Sequence, residues 1–366
     1  MSDEEIDHMK KDDLILTIKR LSDAFGISGF EDDVLTVIRE EGADLGVFSE
    51  DRMRNLYLYR TDYKEGLPTI QLNAHTDEVG FMVKAIRSDG MLEFISIGGW
   101  IATNVPAHQV MVKNLLGKYI PAVVASKPPH FMTEAERNAP LDISHMVLDV
   151  GASSSEEIRN EYQIGIGAPV TPLVPCSYDA SHDIFIGKAF DCRVGCAGVL
   201  ATMKELKNCS LPVNLVGDFS SQEEVGVRGS IVSANAIKAD LAIVFEGCPA
   251  DDTVVPGYQA QTCLKNGPML RHIDARMITN PRFQRYALNL ARELNIPVQE
   301  GVRTAGSTNG AAIHLSQQGI PAIVIGVPVR YAHTHYGISS LTDVEHSVAL
   351  AVALIKSLDE LKIKAF

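Results

Sequence analysis

Apolar positions recur along the chain with two different spacings. Residues 12–26 and 32–42 carry apolar side chains at helical spacing, which predicts two helices, and Ser28-Gly29 predicts the break between them. The segments 55–59 and 69–74 predict two strands. The N-terminal part of the chain is therefore predicted to be α/β.

The pattern changes between about residues 81 and 170, where short β-branched runs separated by turn residues predict a small β-barrel or sandwich. These runs are 81–83, 92–97, 109–112 and 119–124. Beyond Asp183, apolar strands and amphipathic helices alternate again. The predicted strands are 212–219, 240–246 and 321–326, and the predicted helices are 194–207, 228–237, 282–294, 309–318 and 341–361.

Such alternation predicts an α/β fold with a mixed, largely parallel sheet flanked by helices on both faces. At 366 residues the chain exceeds what one hydrophobic core normally serves, so we expect two domains. The first is a discontinuous α/β domain formed by residues 1–80 and 171–366. The second is an inserted β-barrel domain formed by residues 81–170.

Two adjacent carboxylates, Glu223 and Glu224, follow the apolar run 211–216. Neighbouring side chains at a strand end point in different directions, so one glutamate can bind a metal while the other faces a substrate as general base. Four further metal-ligand candidates stand at the ends of apolar segments. They are His75 after strand 69–74, Asp191 before helix 194–207, Glu246 at the end of strand 241–246 and His333 after strand 322–326.

Each of these positions is ambiguous alone. A single histidine after a strand is more often an ordinary polar residue, and an acid before a helix is more often a cap, which would suit Asp191. Five such positions are hard to explain as coincidence. Two histidines and three carboxylates can hold two zinc-like ions with one carboxylate bridging them. Asp77 shares a strand face with His75 and could orient its ring.

Four motifs carry a resemblance to a known family. They are His75-Thr-Asp77-Glu-Val-Gly80, Gly187-Lys-Ala-Phe-Asp191-Cys-Arg-Val-Gly195, Glu223-Glu224-Val-Gly-Val-Arg-Gly229 and Arg330-Tyr-Ala-His333, with weaker support from Ile97-Gly98-Gly99-Trp100. On these motifs the chain resembles, over nearly its whole length, the tetrahedral or glutamyl-type aminopeptidases. These are cocatalytic dinuclear metallopeptidases of zinc-peptidase-like fold, and some members are called endoglucanases.

The resemblance implies two divalent metal ions per subunit. Zinc is the expected metal, and cobalt and manganese are alternatives that His and carboxylate sites also accept. It implies Asp191 as the bridging ligand and Glu223 as general acid/base. The other implied roles are His75 and Glu246 for one ion, Glu224 and His333 for the other, and Asp77 as the residue that orients His75. It further implies that the inserted domain drives dimerisation and that dimers build larger homo-oligomers, up to a dodecamer.

The chain departs from the family pattern at several positions. Glu246 stands where the family usually has Asp, and Cys192 stands where it has Asn or Asp. Asn309 replaces an Asp that we expect near the substrate pocket, and the stretch His333-Thr334-His335 replaces the usual His-Ser-x-x-Glu. Cys192 and Cys196 are one helical turn apart, but no second pair completes a soft-metal site, so we interpret them as core residues.

Composition limits the partners. A net charge of −13 argues against nucleic acid or an anionic membrane as the main partner. The chain has no apolar run of about 20 residues, and its acidic N-terminus is unlike a signal peptide. Six cysteines without a Cys-x-x-Cys pair are typical of reduced thiols, and we therefore expect a cytoplasmic protein.

The expected activity is hydrolysis of the first peptide bond of a peptide. The alternative is a metal-dependent deacylase that uses the same ions. Two further hypotheses are a glycosidase that uses Glu223 and Glu224 and a non-catalytic assembly protein. Two carboxylates must face each other about 5–9.5 Å apart for glycoside hydrolysis, and neighbouring residues rarely do so. Substrate contacts by His130, Arg330 or Tyr331 stay open, as does replacement of His333 by His335 as ligand.

Overall fold

The computed structural model describes residues 3–366, with side chains from Lys10 onward. The helices are α1 (Asp3–Asp23), α2 (Asp32–Glu41), α3 (Glu134–Asn138), α4 (Ser155–Glu157), α5 (Phe190–Leu206), α6 (Arg228–Ile237), α7 (Pro281–Glu293), α8 (Gly310–Ile313), α9 (Leu341–Ser357) and α10 (Glu360–Lys364).

The strands fall into three sheets. They are β1 (Gly46–Glu50), β2 (Leu56–Arg60), β3 (Thr69–His75), β4 (Gly80–Ile86), β5 (Leu92–Ile97), β6 (Gln109–Lys113), β7 (Tyr119–Val124), β8 (Val147–Asp149), β9 (Pro169–Pro172), β10 (Ser177–Asp179), β11 (Ile184–Gly187), β12 (Asn214–Ser220), β13 (Leu241–Pro249), β14 (Met269–Ile273), β15 (Gln299–Val302), β16 (Ala322–Val329) and β17 (Gly337–Ser339).

The main sheet has eight strands in the order β1-β2-β12-β3-β13-β16-β14-β15. Its four central strands, β12, β3, β13 and β16, run parallel to one another. β14 and β15 are parallel to each other and antiparallel to β16, and β1 and β2 are antiparallel. The predicted mixed, largely parallel sheet is therefore confirmed.

Both faces of this sheet are covered by helices, as the alternating pattern predicts. Successive residues of a strand point to opposite faces. On one face Ile243 packs in the large core to which α1, α2, α5, α7 and α9 contribute. On the other face Val244 packs in a smaller cluster with Ala234 of α6 and Ile313 of α8. All seven residues of β3 and all seven of β12 are buried, although both strands carry polar side chains such as Gln71, Asn73 and Asp218.

The inserted β-barrel is confirmed. Strands β4, β5, β8, β7, β6 and β9 close into a barrel in that order. The barrel has its own core, which includes Phe81, Phe94, Val110, Leu148 and Val170. The division of the chain into domains at 80/81 and 170/171 stays a prediction.

Several elements differ from the sequence-based prediction. The helix predicted at 309–318 ends at Ile313, because the polar stretch after it turns tightly, with Gln317 at φ +54°. The helix predicted at 341–361 breaks at Leu358, and Asp359 caps the short helix α10. Strands β14 and β15 and the small antiparallel sheet β10-β11-β17 were not predicted. Across the part of the chain described here, no helix is long and apolar enough to cross a membrane.

Candidate metal centre

The carboxyl ends of the central strands meet at one edge of the main sheet. Ser220 pairs with His75 in the register of β12 and β3, and Glu246 pairs with Gly326 in the register of β13 and β16. His75 is the last residue of β3, Glu224 follows β12, and His333 follows β16. Ligands of open α/β sheets collect at such edges.

Asp191 reaches this edge by another route. It follows β11 of the small sheet and lies in a non-helical stretch at the start of α5, with φ −84° and ψ 103°. Asp191 therefore reaches the site from the small sheet, and Glu246, expected at the end of its strand, lies inside β13, which continues to Pro249. The alternative that Asp191 is an ordinary helix cap is not supported, since α5 has no side-chain cap hydrogen bond.

Two groups of metal-ligand residues form there, and they share Asp191. One consists of His75, Asp191, Cys192 and Glu246, and the other of Asp191, Glu224 and His333. In the first group, His75 Nε2 lies 3.1 Å from Asp191 Oδ1 and 3.3 Å from Glu246 Oε1. In the second, His333 Nε2 lies 3.4 Å from Asp191 Oδ2 and 3.2 Å from Glu224 Oε2.

These separations fit a metal ion. Two N or O ligands held about 2.0–2.1 Å from one zinc at tetrahedral angles lie roughly 3.3–3.4 Å apart. The four measured distances fall between 3.1 and 3.4 Å. Two buried carboxylate oxygens, Glu224 Oε1 and Glu246 Oε2, have no hydrogen-bond partner. A buried carboxylate oxygen without a partner is costly, and a cation at each of the two groups would compensate it.

Both histidines are oriented by backbone carbonyls. His75 Nδ1 lies 3.1 Å from the Asp77 carbonyl oxygen, and His333 Nδ1 lies 3.1 Å from the carbonyl oxygen of Gly99. The network assigns the proton to Nδ1 of each ring, because a carbonyl can only accept. Each Nε2 faces carboxylate oxygens, to which it donates a hydrogen bond while protonated, and it would lose that proton to bind a metal ion.

The electrostatics of the cluster favour a cation. Burial and the nearby charge of Asp191 raise the pKa of Glu246 to about 7. Burial opposes ionisation of His333, but hydrogen bonds to Asp191 and Glu224 overcome it and raise its pKa to about 11. The three carboxylates of the two ligand groups carry more negative charge than the nearby side chains balance. Protons are therefore retained at positions where bound metal ions would otherwise balance this negative charge.

Asp77 does more than the sequence suggests. Its carboxylate oxygen Oδ1 lies 3.4 Å from His75 Nδ1, farther than its own backbone oxygen. The same carboxylate accepts hydrogen bonds from the backbone N–H groups of Glu223 at 2.8 Å and Glu224 at 3.1 Å. Asp77 therefore supports both the first histidine and the Glu223-Glu224 turn.

Glu223 belongs to neither ligand group, which leaves its side chain free for another role. Burial raises the pKa of Glu223 well above its ordinary value. A small depression opens at the second group, and its wall includes Asp191, Glu224, His333 and Tyr331. A substrate entering this depression would lie against the candidate metal ligands.

Cys192 and Cys196 were interpreted as core residues, and the structure shows that they also contact the site. Cys192 and Cys196 are buried, as core residues should be. However, Cys192 Sγ lies within the first ligand group, while it also donates to the carbonyl of Phe245 at 3.4 Å. Cys196 donates to the carbonyl of His75 at 3.0 Å. Their contacts with the strand ends could not be predicted from helical spacing.

The structure distinguishes among the residues whose roles the sequence did not decide. His335 is buried and stacks on His108 with ring centroids 3.9 Å apart, so it is His333 that lies among the candidate ligands. Arg330 forms a two-pronged ion pair with Asp252, at 3.0 and 2.7 Å. His130 lies in an exposed turn of the inserted segment, outside both ligand groups.

Asn309 does not face the depression, contrary to the expectation drawn from the family pattern. Its side chain is 1% exposed and donates to Asn73 at 2.9 Å and to Ser220 at 2.7 Å. It therefore belongs to a buried polar network behind the strand ends. Asn309 is absent from the residues that line the depression.

Comparison with known proteins identifies the family. The family model described as M42 glutamyl aminopeptidase matches residues 55–350, most of the chain. The chain belongs to the M42 peptidase family. The glutamyl aminopeptidase of Lactococcus lactis subsp. cremoris (strain MG1363) is 32% identical over 349 residues, which cover 94% of this chain and 97% of the relative.

Solved structures of the M42 family agree with the fold. The TET aminopeptidase of the marine sediment archaeon Thaumarchaeota archaeon SCGC AB-539-E09 superposes with a TM-score of 0.92 at 32% identity, covering 96% of this chain and 99% of that one. The Pyrococcus horikoshii TET1 peptidase gives a TM-score of 0.85 at 25% identity, covering 94% and 100%. That peptidase can assemble into a tetrahedron or a large octahedral shell.

Proposed function

We propose that this M42 peptidase is an aminopeptidase that removes N-terminal residues from peptides. Its site would use two divalent metal ions, and zinc is the expected metal. His75 and Glu246 would hold one ion, Glu224 and His333 the other, and Asp191 both. The observation that carries the proposal is that Asp191 directs its two oxygens to two different histidines, 3.1 Å from His75 Nε2 and 3.4 Å from His333 Nε2.

The residues of the chain divide the work of amide hydrolysis. Bound ions would supply Lewis-acid activation of water and of the scissile carbonyl. Glu223 would accept the proton of the attacking water and return it to the leaving amine, which is the task of a general acid/base. Burial raises the pKa of Glu223 well above its ordinary value, which favours its acting as a proton acceptor and donor.

The free α-amino group of a peptide is a cation, and the acidic surroundings of the depression would attract it. The alternative, deacylation of modified amino acids, uses the same ions on a substrate whose N-terminal nitrogen is acylated and therefore carries no charge. A glycosidase would leave His75 and His333 without a role. The charge of the substrate N-terminus therefore separates the two amide-hydrolysing candidates.

A panel of aminoacyl-amides and short peptides, each with a free and an N-acetylated terminus, tests the proposal. The protein is stripped with a chelator and then supplied with zinc, cobalt or manganese. We expect metal-restored release of amino acid only from free termini. Cleavage only of acetylated substrates would establish a deacylase instead, and the side chains accepted would define the specificity.

The inserted segment 81–170 would serve as a dimerisation domain, and dimers would build a larger homo-oligomer. Large apolar side chains are exposed on it, among them Leu115, Leu116, Phe131 and Ile166. Exposed apolar groups in one region are typical of interaction surfaces. The acidic net charge of −13 and six unpaired thiols support a cytoplasmic enzyme without a nucleic-acid or membrane partner. Size-exclusion chromatography with light scattering tests the oligomer.

A further inference from the structure

The turn that presents Glu223 and Glu224 is held by its backbone. Three successive N–H groups donate to two buried carboxylates, which we call the carboxylate pair: Glu31 and Asp77. Gln222 N lies 3.2 Å from Glu31 Oε1. Glu223 N and Glu224 N lie 2.8 and 3.1 Å from the two oxygens of Asp77.

This turn needs such support. Strand β12 ends at Ser220 and the Ser221 amide bonds to Asn55, so the amides of residues 222–224 have no strand partner, and buried N–H groups require partners. Gln222 has φ +54°, a left-handed conformation that costs a non-glycine residue about 1 kcal/mol. A strained turn keeps one geometry only where its surroundings impose it. The carboxylate pair supplies that constraint.

Contacts with its own helix do not explain why the Glu31 carboxylate is buried. The residue stands at the N-cap of α2, yet its side chain makes no cap hydrogen bond to that helix. It is 2% exposed, and its Oε2 has no partner. Apart from the neighbouring Gly29 N–H at 2.8 Å, its hydrogen-bond partner is Gln222, 191 positions away. Burying a carboxylate beside Asp77 is costly, so a compensating purpose is expected.

We propose that Glu31 is a positioning residue for Glu223. Glu31 accepts the N–H of Gln222, Asp77 accepts the next two, and together they fix the direction in which the Glu223 side chain leaves the backbone. Ser28, which donates to Asp77 at 2.6 Å, ties the same segment to the second acceptor. The proposal rests on the proposed function, in which Glu223 is the general acid/base.

Three substitutions separate the reach of the acceptor from its charge. Glu31→Ala removes the acceptor, Glu31→Gln keeps an oxygen at the same reach without the charge, and Glu31→Asp keeps the charge but retracts it by one methylene. Asp343 provides the matched control. It is also buried and accepts two backbone N–H groups, from Lys265 at 2.7 Å and Gly267 at 2.8 Å, but it contacts neither ligand group.

The measurements are kcat and KM on a free-terminus peptide, bound zinc per chain, and amide hydrogen exchange of the peptide spanning 221–225 in chelator-stripped protein. We expect Glu31→Ala to keep its zinc and its KM while kcat falls about 10- to 100-fold, the cost of a misdirected catalytic group. Exchange at 221–225 should become faster. Glu31→Gln should recover most of the lost kcat, Glu31→Asp should not, and Asp343→Ala should keep the wild-type kcat below its melting temperature.

Several results would overturn the assignment. These are an unchanged kcat in Glu31→Ala, a Glu31→Gln variant as slow as Glu31→Ala, or an equal loss of kcat in Asp343→Ala. If wild-type protein with zinc releases no amino acid, the proposed function fails, and exchange alone decides the structural step. Unaltered protection of 221–225 in Glu31→Ala would then refute the role of the carboxylate pair.

Discussion

Removal of Asp191 should abolish both metal sites at once. Asp191 is the only residue common to the two ligand groups of the described residues, with Oδ1 toward His75 and Oδ2 toward His333. Asp191→Ala leaves His75 and Glu246, with the Cys192 thiol, on one side and Glu224 and His333 on the other. Burial raises the pKa of Cys192 well above its ordinary value, so that thiol is a poor substitute for a carboxylate.

The size of the effect can be worked out from ligand linkage. An ion bound with a Kd of about 1 nM, at roughly 10 μM free metal, stabilises the fold by about 5 kcal/mol. For a chain of 366 residues the entropy of unfolding is roughly 0.8 kcal/mol per degree, so each ion should raise Tm by about 7 °C. Wild-type protein should therefore gain about 14 °C from two ions, and Asp191→Ala close to none.

The assay is a thermal scan of chelator-stripped protein with and without zinc, accompanied by a metal count on the same samples. His75→Ala and His333→Ala are the matched controls, because each should lose one increment of Tm and keep the other. An Asp191→Ala variant that retains two tightly bound ions, or the full increment of Tm, would refute the shared ligand.

Three further predictions follow from named contacts. Glu223→Gln should keep both ions while turnover falls about 10²- to 10⁴-fold, as for a missing general base. Burial raises the pKa of Asp218 to about 6, against hydrogen bonds from Ser233 and other neighbours. The unfolded chain then ionises first as pH rises, so folding loses stability between about pH 4 and pH 6. The Tm of Asp218→Asn relative to wild type should rise from pH 5 to pH 7. Arg330→Met should lower Tm without changing KM, because its guanidinium is committed to Asp252.

Each of these has a result that contradicts it. Near-normal turnover in Glu223→Gln would remove that residue from the general-base role. A Tm difference independent of pH for Asp218→Asn, measured on metal-free protein, would mean that the buried acid has an ordinary pKa. A KM that rises tenfold or more in Arg330→Met would place that side chain on the substrate.

The sequence predicts the centre of the fold better than its margins. Buried parallel strands such as β13 and β16 begin with apolar runs and were predicted, whereas β14 and β15, with polar residues such as Arg271 and Gln299, lie at the lateral edge of the sheet and were missed. The proximity of the candidate ligands could be predicted because the carboxyl ends of parallel strands converge at one end of the sheet.

The support around these ligands could not be predicted. Glu31 acts through a backbone amide 191 residues away, and no side-chain pattern records such a bond. The choice between His333 and His335 likewise depends on a loop in which Tyr331 and His333 adopt positive φ, so strand alternation does not apply there. The buried position of Asn309 reflects its contacts with Asn73 and Ser220, which belong to distant strands.

The most direct test of a dinuclear aminopeptidase is a zinc titration of chelator-stripped protein, with release of the N-terminal amino acid followed on one peptide and on its N-acetylated form. Hydrolysis of the free peptide should rise until two ions are bound per chain, while the acetylated peptide should not be cleaved. Full activity with one ion bound, or cleavage of the acetylated peptide alone, would show that the enzyme is not a dinuclear aminopeptidase.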